Sequence, residues 1–484
     1  MWTDIMPSRS THCGRVRGSK SRRDFLRQAG LGIGAIASSE LLSRDGFAAG
    51  RHVNPTSPFP SHTTGKAKRV IFLFMTGGPS QMETFDPKPL LTKYDGQPLP
   101  ESFNADGLSL QFMRPTDGKL MASPFPFRRS GQSGIEVSSL FPHLQRHADR
   151  LAVVRSCYHD SFIHGPAITF LNTGSKLLGH PSVGAWVTYG LGAESNELPA
   201  YIAMSDGGFR GGKAMYHAGF LPAVYQGTVL RDSGTPIQNL SRPANISATE
   251  QRRLLDQLNV WNERHRQTRD GDSRLEARIA NYELAFRMQT AAPDVIELSE
   301  EPQHTLDLYG VGQDSTDRFG KMCLLARRMA ERGVRYILLC NTDWDGHGEC
   351  AKNHAKNASR VDQPIAGLLA DLAQRGMLDD TLVVWTGEFG RTPVMQGRRG
   401  RDHNPYGFCT WFAGGGIEGG TVIGATDDFG FRAVDDKVHV HDLHATILSL
   451  LGLDHERLTY LFEGRERRLT DIGGQNDLSE RLTS

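Results

Sequence analysis

Four short apolar runs, each closed by turn or polar residues, restrict this chain more than any other feature. The first is Val70-Ile71-Phe72-Leu73-Phe74-Met75, halted by Thr76-Gly77-Gly78-Pro79. The others are Leu151-Ala152-Val153-Val154, Val334-Arg335-Tyr336-Ile337-Leu338-Leu339 and Thr381-Leu382-Val383-Val384-Trp385. Runs this short, without polar alternation, suit strands covered on both faces, as in a parallel sheet. Helical patterns at Met322–Glu331 and Ile365–Arg375 precede the third and fourth runs, and a further helix is expected over His441–Leu451, before Gly452. Helices between buried strands predict an open α/β sheet, whose ligands collect at the carboxyl edge.

Charge narrows the partners. Across 484 residues, 55 Lys and Arg stand against 54 Asp and Glu, a formal charge of +1. Such a balance provides no basic field for nucleic acid. No apolar run approaches the roughly 18 residues of a stable membrane span. The N-terminus is locally basic, and Ser21-Arg22-Arg23-Asp24-Phe25-Leu26 precedes a mildly apolar stretch, Ala29–Ser38. This resembles a twin-arginine export signal, so residues 1–49 are expected to be a signal peptide that meets the twin-arginine translocase, with the protein reaching the periplasm or cell surface. The alternative is a basic amphipathic helix. Residues 50–67 then read as a linker, 68–465 as one α/β domain with a helical insertion at about 247–300, and 466–484 as a C-terminal tail. The cysteines are scattered without a C-x-x-C pair, so buried small hydrophobes are expected rather than a disulfide framework or a zinc ribbon.

The polar residues just beyond each strand are the chemical candidates. After the third run, Asp343, Asp345 and His347 place two carboxylates and an imidazole within five residues. Such a set suits zinc, manganese or iron, whereas calcium takes oxygen ligands; an Asx-turn beside an exposed histidine is the bland alternative. After the fourth run come Glu388, Arg391 and then Asp402-His403. Arg391 can fork onto an anion, or Glu388 and Arg391 can be an ion pair locking a loop. After the second run, His159, Ser161 and His164 line the start of a helix that ends at Asn172-Thr173-Gly174, with Ser161 or Asp160 a possible N-cap. The first run delivers Glu83 and Asp86, both within reach of a metal. His439, His441 and His444 straddle a helix start and read as structural.

Together these segments resemble the uncharacterised sulfatase-like branch, the domain-of-unknown-function family numbered fifteen hundred and one, of the alkaline phosphatase/sulfatase superfamily. The resemblance rests on Gly77-Gly78-Pro79-Ser80 with Phe85-Asp86-Pro87, His164-Gly165-Pro166-Ala167 with Asn172-Thr173-Gly174, and Trp344-Asp345-Gly346-His347. It continues through Glu388-Phe389-Gly390-Arg391-Thr392-Pro393, Gly400-Arg401-Asp402-His403 and Gly414-Gly415-Gly416, over about residues 70–455. It implies a three-layer α/β/α sandwich with a mostly parallel sheet and a metal centre at its carboxyl edge. Asp343-x-x-x-His347 is similar to a metal-binding pair, and His403 to a late metal ligand. Departures accompany the likeness. Thr76-Gly77-Gly78 stands where a metal-binding Asp ends the first strand, Glu388-Phe389 stands for an Asp-His pair, and His164 occupies the sulfatase nucleophile position, with Ser161 the nearest hydroxyl.

The resemblance therefore implies an exported hydrolase of a phosphate or sulfate ester, acting on a small-molecule or glycan substrate. A divalent metal, zinc or manganese, would be held by Asp343, Asp345, His347, Glu388, Asp402 and His403, with Glu83 or Asp86. His164 or Ser161 would attack or orient water, and Arg391 would stabilise the anionic oxygens. The rival expectation is a periplasmic or surface binding protein that keeps the fold without the chemistry.

Overall fold

The computed structural model describes residues 59–483 apart from 104, 113, 115, 232–241, 243–244 and 268–272. The expected signal peptide lies outside the described residues.

The strands that matter here are β1 (Arg69–Met75), β2 (Ala152–Tyr158), β3 (Tyr201–Ser205), β4 (Thr228–Leu230), β5 (Tyr336–Asn341) and β6 (Thr381–Thr386). They continue with β7 (Gly390–Gln396), β8 (Gly400–Asn404), β9 (Phe408–Ala413), β10 (Thr421–Ile423) and β11 (Val438–His439). One sheet runs β10-β2-β9-β6-β1-β5-β3-β4, with β11 also paired to β2. The ladders are parallel except those of β9, which is antiparallel to both β2 and β6. β1 lies centrally, with Phe72 opposite Leu338 of β5 and Val384 of β6.

Side chains of β1 alternate between two cores, as the pleat dictates. Ile71, Leu73 and Met75 pack with α4 (Ser273–Ile296), α5 (Asp317–Glu331) and α6 (Cys350–Gln374), through residues such as Val295, Met322 and Ile365. Val70, Phe72 and Phe74 pack against α1 (His164–Thr173), α2 (Val183–Leu191) and α7 (Val440–Leu450), through Ile168, Trp186 and Ile447. Helices on both faces make a three-layer α/β/α sandwich. The remaining helix in this numbering, α3 (Ala248–Gln267), joins α4 through the two-pronged Arg252–Glu283 pair, at 2.9 and 2.8 Å.

Several boundaries move for identifiable reasons. β5 begins two residues later than expected and runs on to Asn341: Val334 N–H still closes the turn from α5 onto Met329, and Arg335 N–H donates to Ala200, just ahead of β3. β2 extends past Val154 through Arg155 and Ser156, whose side chains donate to the Phe85 and Asp436 carbonyls. The presumed loops around Arg391 and His403 are a buried antiparallel hairpin, β7–β8, with His403 opposite Arg391. Residues 59–67 do not hang free as a linker: Thr63 and Ala67 donate to the Gly452 and Leu450 carbonyls. Leu469, Leu478 and Leu482 of the expected tail are buried in the second core. The described cysteines are free and buried.

Candidate metal centre

The loop after β5 is turned inward by two anchors. Trp344 is fully buried, donating from Nε1 to Asn341 Oδ1 (2.6 Å) and from its backbone N–H to Thr76 (3.1 Å). Asp343 adopts φ +84°, a left-handed conformation uncommon outside glycine. Its carbonyl is held by the Asn353 and Asn357 amides of α6, both at 2.7 Å, and its carboxylate points out to Lys356 (2.8 Å). Asp345 and His347 are thereby directed into the molecule. α1 begins at His164, its first turn carrying Pro166, and ends at left-handed Gly174 (φ 68°). β8 delivers His403. Ile163 is the N-cap of α1, with no side-chain capping bond, so neither Ser161 nor Asp160 caps it.

His164, Asp345, His347 and His403 offer ligand atoms that lie within 4.8 Å of one another. Each imidazole is fixed through Nδ1: His164 to Glu388 Oε1 (2.5 Å), His347 to Gln396 Oε1 (2.6 Å) and His403 to the Phe162 carbonyl (2.8 Å). These oxygens only accept, so each Nδ1 is a donor; the neutral ring then presents a lone pair at Nε2, and the imidazolium donates from Nε2 to Asp345. All the Nε2 atoms face Asp345. His347 and His164 lie 3.0 Å from its Oδ1 and Oδ2 respectively, and His403 lies 3.5 Å from Oδ1. The His347 and His403 Nε2 atoms are 2.9 Å apart, while His164 Nε2 is buried without a well-angled hydrogen bond. Converging lone pairs beside a carboxylate repel unless a cation or proton sits among them. Imidazoles whose far nitrogen is fixed by an acceptor are a recurrent arrangement at metal centres. Three imidazoles and one carboxylate fit zinc, manganese or iron.

The electrostatics follow from the packing. Burial pushes His403 down to about 4, with Asp345 opposing and Arg391 and His164 reinforcing. Burial also works against the His164 cation, but the carboxylates of Asp345 and Glu388 outweigh it and its pKa rises. For Asp345, burial favours the neutral acid; hydrogen bonds from His164, His347 and His403 and the Arg391 charge overcome it, holding the carboxyl far below its usual range. His159 is buried and pushed down to about 4, chiefly by desolvation. It is a strut, donating to the Glu388 carbonyl (2.6 Å) and accepting from Ser161 N–H (2.9 Å).

The other expected residues fall outside the cluster. Glu388 supports it from behind, accepting from His164 and from Gly77 N–H at 2.9 and 3.1 Å. Gly77 has φ +119°, and a Cβ there would lie 2.5 Å from Asp345 N, so no side chain has room at this position. Arg391 is fully buried. It donates to the Gly78 carbonyl (2.9 Å), the Arg401 carbonyl (3.1 Å), Asp345 Oδ1 (2.7 Å) and the Gly77 carbonyl. Arg391 is a brace for Asp345 and the first loop rather than an anion clamp. Glu83 is spent on Arg401 (2.7 Å), and Asp86 on Lys88 (3.0 Å) and Thr426. Asp402 accepts from His403 and Phe112 N–H groups (2.8 and 3.0 Å), and the Phe112 ring stands edge-on to His347 at 5.2 Å. His441 and His444 tie α7 to the Gly174 and Leu171 carbonyls, both at 2.9 Å.

One contributor went unread in the sequence. Arg210, exposed, reaches Asp345 Oδ2 at 3.0 Å. It follows the apolar run Tyr201–Ser205 and stands between two glycine pairs, Gly207-Gly208 and Gly211-Gly212, the same post-strand signal that marked the other loops.

Solved structures of low identity align with much of the chain. The PsFucS1 sulfatase from Pseudoalteromonas sp. is 11% identical, over 81% of this chain and 68% of that one, with a TM-score of 0.35. The Ps i-CgsB structure is 10% identical over 86% and 77%, with a TM-score of 0.38. The alkaline phosphatase of the Antarctic bacterium TAB5 is 9% identical over 81% and 99%, with a TM-score of 0.32. No curated protein matches the chain significantly. The family model that does match spans residues 67–480, and by that match the chain belongs to the family described as protein of unknown function (DUF1501).

Proposed function

We propose that this protein is a metal-dependent hydrolase of a phosphate or sulfate ester. The observation that carries the reading is the convergence of three Nδ1-anchored imidazoles on the Asp345 carboxylate. A divalent cation bound there would polarise the ester oxygens and acidify a water. The chain's own residues do the rest. Glu388 orients His164, and Arg391 fixes Asp345. Arg210, at the open side beside Asp345, supplies exposed N–H donors to the non-bridging oxygens of the ester. No hydrogen bond from the Ser161 hydroxyl reaches the cluster among the described residues, and His164 faces it as a ligand, so water is the acceptor of the transferred group.

The test is turnover of 4-nitrophenyl phosphate, 4-nitrophenyl sulfate and bis(4-nitrophenyl) phosphate by metal-loaded protein. Turnover is expected to fall to the metal-free level in His347→Ala and His403→Ala, with unchanged circular dichroism. Equal rates in the wild type and both variants would refute the assignment. That no Ser161 hydroxyl bond to the cluster is found among the described residues also favours a second reading, a binding protein that holds an anion on its metal without cleaving it. That reading prevails if the loaded protein binds phosphate yet hydrolyses none of the three esters.

Export belongs to the same proposal. No helix among the described residues is long and apolar enough to cross a membrane. Arg22-Arg23 supports passage through the twin-arginine translocase to the periplasm or cell surface. Cell fractionation should find Arg22→Lys/Arg23→Lys retained inside the cell; unimpaired export of that variant would exclude this route.

A further inference from the structure

Beside the metal cluster, at the carboxyl ends of β3 and β5, the molecule opens into a cleft of about 520 Å³. Arg210 belongs to both places: it lines the cleft and reaches Asp345 Oδ2. Two more guanidinium groups enter from different elements, Arg318 from the first turn of α5 and Arg360 from α6. Three carboxylates, Asp206, Asp314 and Asp343, share the lining, and the Arg318 charge acts on Asp206. Asp206 is buried in its floor, accepting from Thr342 N–H at 2.9 Å and from the Asn341 amide. Asp343 is neutralised by Lys356 at 2.8 Å. Asp314 remains at the exposed rim. Arg360 makes a neutral bond to Asn357 Oδ1 (3.2 Å), and no carboxylate ion pair is found for it among the described residues.

Three planar guanidinium groups around one cleft match tetrahedral oxyanions, which they can meet with paired N–H donors. A cleft of this volume is far larger than one such anion, and falls in the range of small-molecule sites. Among its lining side chains Phe319 is the sole aromatic, the others being charged, hydroxyl-bearing or glycine. That composition suits a hydroxylated carrier rather than an apolar one.

We infer that this cleft binds the non-reacting part of the substrate, and that this part is a sugar or polyol carrying a second phosphate or sulfate held by Arg210, Arg318 and Arg360. The inference rests on the ester-hydrolase reading only for which group is cut; recognition of the second oxyanion is a property of the cleft itself. The metal cluster takes one anionic group, the arginines take the other, and Arg210 stands between them.

Isothermal titration calorimetry on purified protein tests this without requiring turnover at the metal. The probes are glucose 1,6-bisphosphate against glucose 1-phosphate, and a disulfated against a monosulfated chondroitin disaccharide. In wild-type protein at least one doubly substituted probe should bind about 10-fold more tightly than its singly substituted partner, the effect of one charge-assisted contact. The phosphate and sulfate pairs identify which oxyanion the cleft prefers. The preference should vanish in Arg318→Ala/Arg360→Ala and shrink in His347→Ala, which removes a residue of the cluster that takes the other oxyanion. Single Arg318→Gln and Arg360→Gln variants should each weaken it, which keeps the test open if the double variant folds poorly. A preference that survives the arginine variants, or that is absent from the wild type, overturns the inference. Preferential binding without hydrolysis would overturn only the hydrolase reading.

Discussion

Glu388 shows how much of this site depends on one supporting side chain. It touches no substrate-facing surface and is fully buried, yet its carboxylate joins Gly77, at the end of the first strand, to His164, on the first helix. The bond to His164 Nδ1 fixes the tautomer, and therefore which nitrogen points at the cluster. Glu388→Gln keeps the volume but presents an amide N–H to one of two donors. Metal affinity, read by competition with a chromogenic chelator, should fall about 10- to 100-fold, as for other outer partners of metal-bound histidine. An unchanged affinity would mean that His164 does not ligate. The sequence made Glu388 visible, because a carboxylate directly after an apolar run stands out. It did not make the role visible: the partners lie 311 and 224 positions away, and only the folded sheet edge brings them together. Arg391 was misread for the same reason. Its fork was plain in the sequence, whereas the carbonyls that occupy it were not.

At the scale of elements, the central strands were legible because burial on both faces leaves an unbroken apolar run. The β7–β8 hairpin was not. Gly400-Arg401-Asp402-His403-Asn404 is fully buried yet contains no aliphatic residue, so neither period of hydrophobicity marks it. Its burial is made tolerable by paired polar groups, among them Arg401 with Glu83. A comparable polar link joins α6 to the first loop. His354 is fully buried, accepts at Nε2 from Ser80 N–H (2.8 Å) and donates from Nδ1 to the Cys350 carbonyl (3.0 Å). The neutral ring is therefore required, and burial pushes its pKa down from 6.5 to about 4. The unfolded chain binds this proton more readily than the folded one, so stability rises with pH across that interval. The contribution is complete above pH 6.5 and is lost as the pH falls toward about 4. Urea unfolding of the metal-free protein should accordingly show a stability slope that His354→Gln, which keeps an acceptor but does not titrate, lowers by up to about one proton. An identical slope in the variant would show that His354 is already charged in the folded state.

For the whole molecule, the proposed ligands span the chain: His164 on α1, Asp345 and His347 after β5, and His403 on the hairpin. The α/β sandwich was readable from its strands and helices, whereas the convergence of these segments required the sheet order, in which β1 separates β5 from β6. Because the site is assembled from three remote segments, the unfolded chain retains no comparable arrangement, and metal binding should act as folding free energy. Linkage then sets the size of the effect: free metal at about 100 times its dissociation constant should stabilise the fold by about 2.7 kcal/mol. Thermal unfolding followed by circular dichroism should shift upward as zinc or manganese is titrated into chelator-treated protein, and continue to rise with the logarithm of concentration after the site is filled. His347→Ala should remove most of that shift. A midpoint indifferent to metal in the wild type would mean that the converging imidazoles are held together by protons and packing alone. An equal shift in the variant would place the metal elsewhere on the molecule.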